Sequence, residues 1–575
     1  MLPALKQRAK PVTPAMASSG LSPLMQRLYA NRGVTTPDEI ELALKGLLPP
    51  QQLRGVAEAA ELLADAIEGE ARVVIVGDFD ADGATSSALA VSVLRQMGLK
   101  EVSYLVPNRF EYGYGLSPEI VALAADREPD LIVTVDNGIS SLAGVATAQG
   151  LGISVLITDH HLPGDELPAA DVIVNPNQPG CPFPSKSLAG VGVMFYVLTA
   201  LRAELRNREW FERCGMAMPN LGDALDLVAL GTIADVVPLD RNNRILVAAG
   251  LARIRAGRGR PGIDALLEVA GRSADELSSS DLGFILGPRL NAAGRLEDMA
   301  IGIECLLAES AFEARPLAQQ LDDLNRERRD IETNMQEEAL AQLSALEVDD
   351  EALKFGLCVY NKTFHQGVVG IVAARLRERY HRPTIVFADA GDDELKGSGR
   401  SIPGVHIRDV LDHVATMHPG LIGKFGGHAM AAGLSLSCKD LDQFQEAFDT
   451  AVAVALEHVP PEPVVMTDGE LALDELTLHS AEVIAAGGPW GQHFPEPVFE
   501  GCFAVVGQRL LKEKHLKLTL EAQGQTFEGI AFNIDRECWP NEQVLRVRIA
   551  YQPDINSFRG ERKLQLMVRN LWPET

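Results

Sequence analysis

From residue 71 onward, short apolar runs alternate with helical segments. The runs are Val73–Val76, Val102–Val106, Leu131–Val135, Ile153–Ile157 and Val172–Val174, with scarcely a polar break in them. Strands this continuously apolar are buried on both faces, which predicts an α/β fold with a parallel, doubly wound sheet covered by helices. Ahead of it, residues 1 to about 70 read as a polar arm followed by a helix, with Leu53, Val56, Ala57, Ala60, Leu63 and Ala64 at helical spacing. From about 311 to 347 a narrow stripe of Leu317, Leu321, Leu324, Ile331 and Met335 runs through densely charged sequence. A helix this polar bridges two domains or, alternatively, is an ordinary amphipathic core helix. A second, smaller α/β region follows, rich in glycine around Lys396–Arg400 and Lys424–His428. After the Pro-rich stretch Val459–Pro463, strand-like alternation in Leu516–Leu520, Leu545–Ile549 and Leu564–Val568 predicts a small β-barrel or sandwich. The expected divisions are 1–70, 71–310, a connector helix over 311–350, 351–457 and 464–575.

Composition narrows the picture in three ways. With 575 residues, 46% hydrophobic and 23% charged, the chain reads as several globular domains and not as a disordered one. Its net charge of −27 prevents it from holding nucleic acid by overall charge, so any such activity needs a local basic channel or a bound metal. Seven scattered cysteines, none in a C-x-x-C pair, argue against a disulfide framework and against a thiolate zinc site. No stretch offers the ~20 continuous apolar residues of a membrane span, and a cytoplasmic protein is expected.

Chemistry is sought where the runs end, because ligands of such sheets bind at the carboxyl ends of the strands. The first run ends in Gly77-Asp78-Phe79-Asp80-Ala81-Asp82-Gly83, where alternate carboxylates share one side. Taken alone, this segment is read equally well as a capped Asp/Gly turn or as ligands of a hard divalent cation. The third run ends in Asp136-Asn137-Gly138, the fourth in Asp159-His160-His161, and a later apolar segment closes on Asp235. Four acidic or imidazole clusters on one sheet edge favour a dinuclear carboxylate/histidine site, suited to polarising a phosphoryl group. There is no P-loop or dinucleotide-binding glycine fingerprint, which disfavours nucleoside triphosphate hydrolysis and hydride transfer.

Asp159-His160-His161, with Asp-Phe-Asp-Ala-Asp-Gly upstream and Asp136 between them, resembles the DHH phosphoesterase superfamily. Gly426-Gly427-His428-Ala429-Met430-Ala431-Ala432-Gly433 is similar to the signature of the associated DHHA1 domain. Pro107–Phe110, Gly113–Leu116, Gly287–Arg295 and His365–Gly370 narrow the resemblance to the RecJ family of bacterial single-stranded-DNA exonucleases, over roughly residues 70 to 435. Phe364 stands where tryptophan is commoner before His-Gln-Gly, and Tyr112 where an acidic residue is common before Gly-Tyr-Gly; neither is an expected ligand.

The resemblance implies a DHH domain and a DHHA1 domain joined by a long helix, with an OB-like barrel at the end. It implies Mn²⁺ or Mg²⁺, two ions, held by Asp80, Asp82, Asp136, His160 and Asp235, with Asp78 a further candidate. Asp136 and His160 would serve catalysis as well, together with His161 by the scissile phosphate and Asp159 orienting the histidines. Arg109, Arg289, Asn291, Arg295, Ser398, Arg400 and His428 would line the path of a DNA strand. The implied activity is 5′→3′ degradation of single-stranded DNA to 5′-mononucleotides by two-metal water attack, in DNA repair and recombination. The implied partners are single-stranded DNA, a RecQ-type helicase and single-strand-binding protein; a monomer with no membrane association is expected. The barrel's Lys and Arg positions, from Arg509 to Arg569, are interleaved with Phe527, Phe532, Trp539 and Tyr551. Strand alternation alone produces that pattern, so DNA contact there and a plain barrel core stand level. Two rival readings are a small-substrate DHH phosphodiesterase, against which chain length argues, and a metal-free scaffold, which the intact ligand positions oppose.

Overall fold

The structure is a computed structural model that describes residues 3–107, 115–345, 354–459, 461–536, 538–558 and 561–574. The chain divides into two compact units, residues 7–324 with 467–575 and residues 1–6 with 325–466.

The first strand, β1 (Ala4–Gln7), belongs to a small ribbon described below. The larger unit is built on β2 (Val73–Gly77), β3 (Val102–Leu105), β4 (Leu131–Val135), β5 (Ser154–Thr158) and β6 (Val172–Val174). They form one parallel sheet in the order β3-β2-β4-β5-β6. The continuity of the apolar runs has a direct cause. Val73, Ile75, Leu131, Val133 and Leu156 face one core, while Val74, Val76, Ile132, Val155 and Ile157 face another on the opposite side. Each strand side therefore buries apolar groups under helices. Val56–Glu68, Ala81–Gln96 and Gly190–Asn207 cover one face, and Pro118–Ala125 and Leu142–Gly150 the other. From β2 the chain steps outward to β3 and returns to β4 on the far side of β2. The carboxyl ends of β2 and β4 thus flank the topological switch point, where a crevice opens in sheets of this kind.

The smaller unit holds β7 (Leu357–Tyr360), β8 (Thr384–Asp389), β9 (Glu394–Arg400), β10 (Lys424–Gly427) and β11 (Ala431–Ser437), in the order β10-β11-β9-β8-β7. Phe387, Phe444 and Phe448 fill its main core. The predicted long helix spans Ala311–Ala345; its early residues Ala314, Ala318 and Leu321 join the core of the larger unit. Met335 and Ala339 join a core of the smaller one. The expected Pro-rich linker leads into β12 (Val464–Thr467), which pairs with β1.

The C-terminal strands β13 (Phe499–Leu511), β14 (His515–Ala522), β15 (Gln525–Ala531), β16 (Arg546–Phe558) and β17 (Glu561–Glu574) close into a barrel in the order β13-β14-β15-β17-β16. A parallel β15–β17 pair among antiparallel neighbours completes this five-stranded closure. No helix among the described residues is long and apolar enough to cross a membrane.

The N-terminal arm carries more structure than its polar pattern predicts. It forms helices Pro14–Ala17 and Pro23–Asn31, and it is stitched to the segment that precedes the barrel. The fully buried Asp468 carboxylate takes two hydrogen bonds from the Arg32 guanidinium, both 3.1 Å, and one from the Asn31 amide at 3.0 Å. Tyr29, Trp490 and Phe494 pack ring on ring beside it, with the Arg32 guanidinium 4.9 Å above Trp490. Removing one partner of a buried ion pair strands the other charge. We therefore expect Asp468→Ala to lower the unfolding free energy by about 3–5 kcal/mol, read by denaturant titration of the full chain.

Candidate metal centre at the sheet switch point

The strand register brings the acidic ends to one level. Gly77 pairs with Val135 and Val135 with Thr158, so the next residues, Asp78, Asp136 and Asp159, leave the sheet side by side. Thr158 pairs with Val174, which puts Asn175 on the same row.

Asp80 is the N-cap of helix Ala81–Gln96, its carboxylate accepting from the Asp82 and Gly83 amides at 2.9 and 3.1 Å. The cap reading of the Asp/Gly segment and its ligand reading thus fall on the same residue. Asp82, on the first turn, is fully buried and accepts from the Gly190 and Val191 amides, 2.6 and 2.9 Å away, at the start of helix Gly190–Asn207. The Gly190 and Val191 amides favour the ionised Asp82, working against its burial. Asp136 sits in the left-handed region at φ 63°, which Asp tolerates better than most side chains. A Cβ on Gly190 would lie 2.6 Å from the Asp136 Cβ, so only glycine fits there. Asp235 is the C-cap of helix Leu225–Ala234, at the negative pole, where a carboxylate is repelled. The β-branched Val236 behind it is held at φ 60°, a strained backbone of the kind that persists at functional sites.

Three groups of donor atoms, each within 4.8 Å of one another, result: Asp136 with His160 and His161, Asp82 with His160 and Asp235, and Asp78 with Asp80 and Asp136. Asp136 and His160 each belong to two groups, so the donors form one connected cluster. His160 Nε2 lies 3.0 Å from Asp136 Oδ1 and 3.4 Å from Asp235 Oδ2. Burial, then the charge of Asp80, pushes the Asp82 carboxyl up to about 7. Burial, then neighbouring carboxylates, also hold Asp136 and Asp235 well above the usual carboxylate range. Oxygen and imidazole donors crowded this closely fit hard divalent cations such as Mn²⁺ or Mg²⁺. The six expected metal residues are all in the cluster, and His161 joins them.

His161 Nδ1 lies 2.7 Å from Asp159 Oδ1, while the other Asp159 oxygen accepts from the Ile139 amide at 2.9 Å. Burial alone would raise Asp159, but the hydrogen bond and charge of His161 hold it below its ordinary value. Burial would lower His161, but the Asp159 hydrogen bond and charge raise it.

Sequence reasoning passed over several supports. Asn175 donates to the His161 carbonyl at 2.9 Å and Asn177 to the His160 carbonyl at 2.6 Å. Both follow the last apolar run, the same kind of position in sequence that carries Asp78, Asp136 and Asp159; nothing in the pattern marks Gly190.

Of the expected strand-path residues, Arg109 lies outside the described residues. Arg289 is buried, with Nε and Nη2 at 2.9 and 2.8 Å from Asp322 Oδ1. Asn291 accepts from the Ala81 amide at 2.8 Å, and Arg295 is half-buried on the same helix, Gly287–Leu296. In the smaller unit Ser398 and Arg400 sit two residues apart on β9, joined by a 3.0 Å hydrogen bond, and Ala431 pairs with Arg400. The exposed His428 donates its amide to the Ala431 carbonyl at 2.8 Å. On the barrel, Phe527, Trp539 and Tyr551 are core residues, and Lys517, Arg548, Arg562 and Lys563 each face a glutamate. Arg509, Lys512, Lys514 and the half-exposed Phe532 remain on the surface.

The DHH family N-terminal domain matches residues 72–232, the DHHA1 domain 354–454 and the RecJ OB domain 467–570. The chain is 56% identical over 568 residues to the single-stranded-DNA-specific exonuclease RecJ of Dickeya dadantii, covering 98% of this chain and 99% of that protein. It is 56% identical over 555 residues to the RecJ of Escherichia coli, covering 96% of each. The chain belongs to the RecJ exonuclease family. The crystal structure of RecJ in complex with Mn²⁺ from Thermus thermophilus is similar with a TM-score of 0.79 at 30% identity, covering 98% of this chain and 78% of that one. The Mg²⁺ complex of RecJ from the same organism gives 0.73 at 28% identity, covering 98% and 76%. RecJ relatives thus hold the two kinds of ion that this donor set fits.

A raised carboxyl keeps its proton in the folded chain to higher pH than in the unfolded one, so it stabilises at low pH and that stability is lost as pH rises. Without ions, stability should fall as pH climbs from about 4 through about 7, whereas ion binding needs the ionised carboxylates. The rise in melting temperature on adding Mn²⁺ to EDTA-treated protein should therefore be larger at pH 8 than at pH 5. Bound at a hundredfold excess over Kd, one ion contributes about 2.7 kcal/mol.

Proposed function

We propose that this chain is a metal-dependent exonuclease that degrades single-stranded DNA from the 5′ end to 5′-mononucleotides. The observation that carries the reading is the connected Asp/His cluster at the switch point of a sheet whose relatives are single-stranded-DNA-specific exonucleases. Asp78, Asp80, Asp82, Asp136, His160 and Asp235 would hold two Mn²⁺ or Mg²⁺ ions. When bound, these supply Lewis acidity at the phosphodiester and lower the pKa of water.

The chain's own groups do the rest. Asp159, fixed by the His160, His161 and Ile139 amides, holds the Nδ1 side of His161, so the Nε2 side is the one that serves the substrate. A histidine whose proton is favoured in this way donates to a phosphoryl oxygen or to the departing one. In the smaller unit, Arg400 and Ser398 on β9 and His428 on the glycine-rich turn offer a cation, a hydroxyl and an imidazole to a phosphate backbone. On this reading a RecQ-type helicase and single-strand-binding protein are its partners, and DNA repair and recombination its setting.

Cleavage of a 3′-labelled single-stranded oligonucleotide tests the reading. Shortening from the 5′ end in Mn²⁺ or Mg²⁺ is expected, with none in EDTA and none on matched duplex. Asp136→Ala and His160→Ala should each lower the rate by at least about a thousandfold while far-UV circular dichroism stays unchanged. Retained turnover in either variant refutes the ligand assignment. Cleavage confined to a dinucleotide would move the chain to the small-substrate phosphodiesterases.

A further inference from the structure

Helix Gly287–Leu296 meets the aspartate-rich loop directly. A Cβ on Gly294 would lie 1.8 Å from the Phe79 carbonyl oxygen, so helix backbone and loop backbone touch between Asp78 and Asp80. One turn earlier, the Asn291 side-chain oxygen accepts the Ala81 amide hydrogen at 2.8 Å. Helix Ala81–Gln96 begins there, and the opening amides of a helix have no partners of their own. Here each is assigned: Ala81 to Asn291, Asp82 and Gly83 to the Asp80 carboxylate, and Ala84 to the Asp80 carbonyl. No amide of that first turn is left to receive a phosphate from a strand. The Asn291 helix is itself held from behind. Arg289 grips the buried Asp322 of the long helix and donates to the Ile285 carbonyl at 2.7 Å.

We propose that Asn291 and Arg289 are positioning residues for the metal-binding loop, and not contacts to the DNA strand. Asn291 sets the angle at which Asp80 and Asp82 leave the helix start, and the Arg289–Asp322 pair sets where Asn291 stands. Groups that orient metal ligands from behind change metal affinity by about 10–100-fold when removed. The inference rests on the metal cluster of the proposed function.

Two titrations on the full-length protein test it: Mn²⁺ by calorimetry, and a fluorescent single-stranded oligonucleotide by anisotropy in EDTA. Asn291→Ala should weaken Mn²⁺ by about 10–100-fold and leave strand affinity in EDTA unchanged. Asn291→Asp keeps an acceptor for the Ala81 amide and should restore Mn²⁺ binding, whereas a strand contact would be lost to repulsion. Arg289→Gln should move in the same direction as Asn291→Ala. Wild-type Mn²⁺ affinity in Asn291→Ala, with or without a loss of strand affinity, overturns the proposal, as does failure of Asn291→Asp to restore binding. If the wild-type chain takes up no Mn²⁺, the metal cluster itself is wrong and this inference falls with it.

Discussion

Mutual repulsion among carboxylates is the constraint around which the larger unit is arranged. Asp136 is raised above its ordinary range by burial and by Asp82, Asp80, Asp235 and Asp78, acidic groups delivered by separate parts of the fold. Stability alone would not assemble such a cluster, because every approach of one carboxylate to another costs free energy in a buried setting. The fold holds it by means that cost less than they constrain. In-register strands give three positions on one row, and two helix starts receive Asp80 and Asp82 where their charge is welcome. Asp235 has no such welcome at its helix end, and Asp136 and Val236 are held in left-handed backbone. These are costs that a divalent cation offsets.

The histidines obey a different logic. Asp159 is fixed by three backbone amides, so it cannot swing away to join the cluster, and it orients His161 instead. Asn175 and Asn177 clamp the backbone of both histidines from the neighbouring strand end. Two adjacent residues therefore point to separate tasks, His160 among the carboxylates and His161 beside them.

Much of this was legible in the chain. Continuous apolar runs announced a sheet buried on both faces, and acidic or imidazole residues at successive run ends announced where potential metal donors gather. What stayed hidden depends on contacts distant in sequence. Gly190 matters because Asp136, more than fifty positions earlier, occupies the space of its missing side chain. Asn31 and Arg32 matter because Asp468 turns up beside them, which no local periodicity encodes. The Gly-Pro-Arg-Leu-Asn motif was visible, but its direction was not: a motif shows that residues matter without showing whether they face a ligand or a neighbouring loop.

Charge on the barrel shows the same limit and bears on how an acidic protein meets a polyanion. Alternating cations on strands look like a binding face in sequence, yet Lys517, Arg548, Arg562 and Lys563 face glutamates. With a net charge of −27, long-range repulsion works against any nucleic-acid strand. Grip on a strand must then come from a few short-range contacts and from ions that offset the negative charge of the cluster. The carboxylates that repel phosphate on their own are the same groups whose charge two divalent ions would largely cancel, leaving Lewis-acidic ions to meet the phosphate. Substrate binding and metal binding are on this account not independent, and the cluster is one of the features that reconcile the surplus of acid in the composition with a nucleic-acid enzyme.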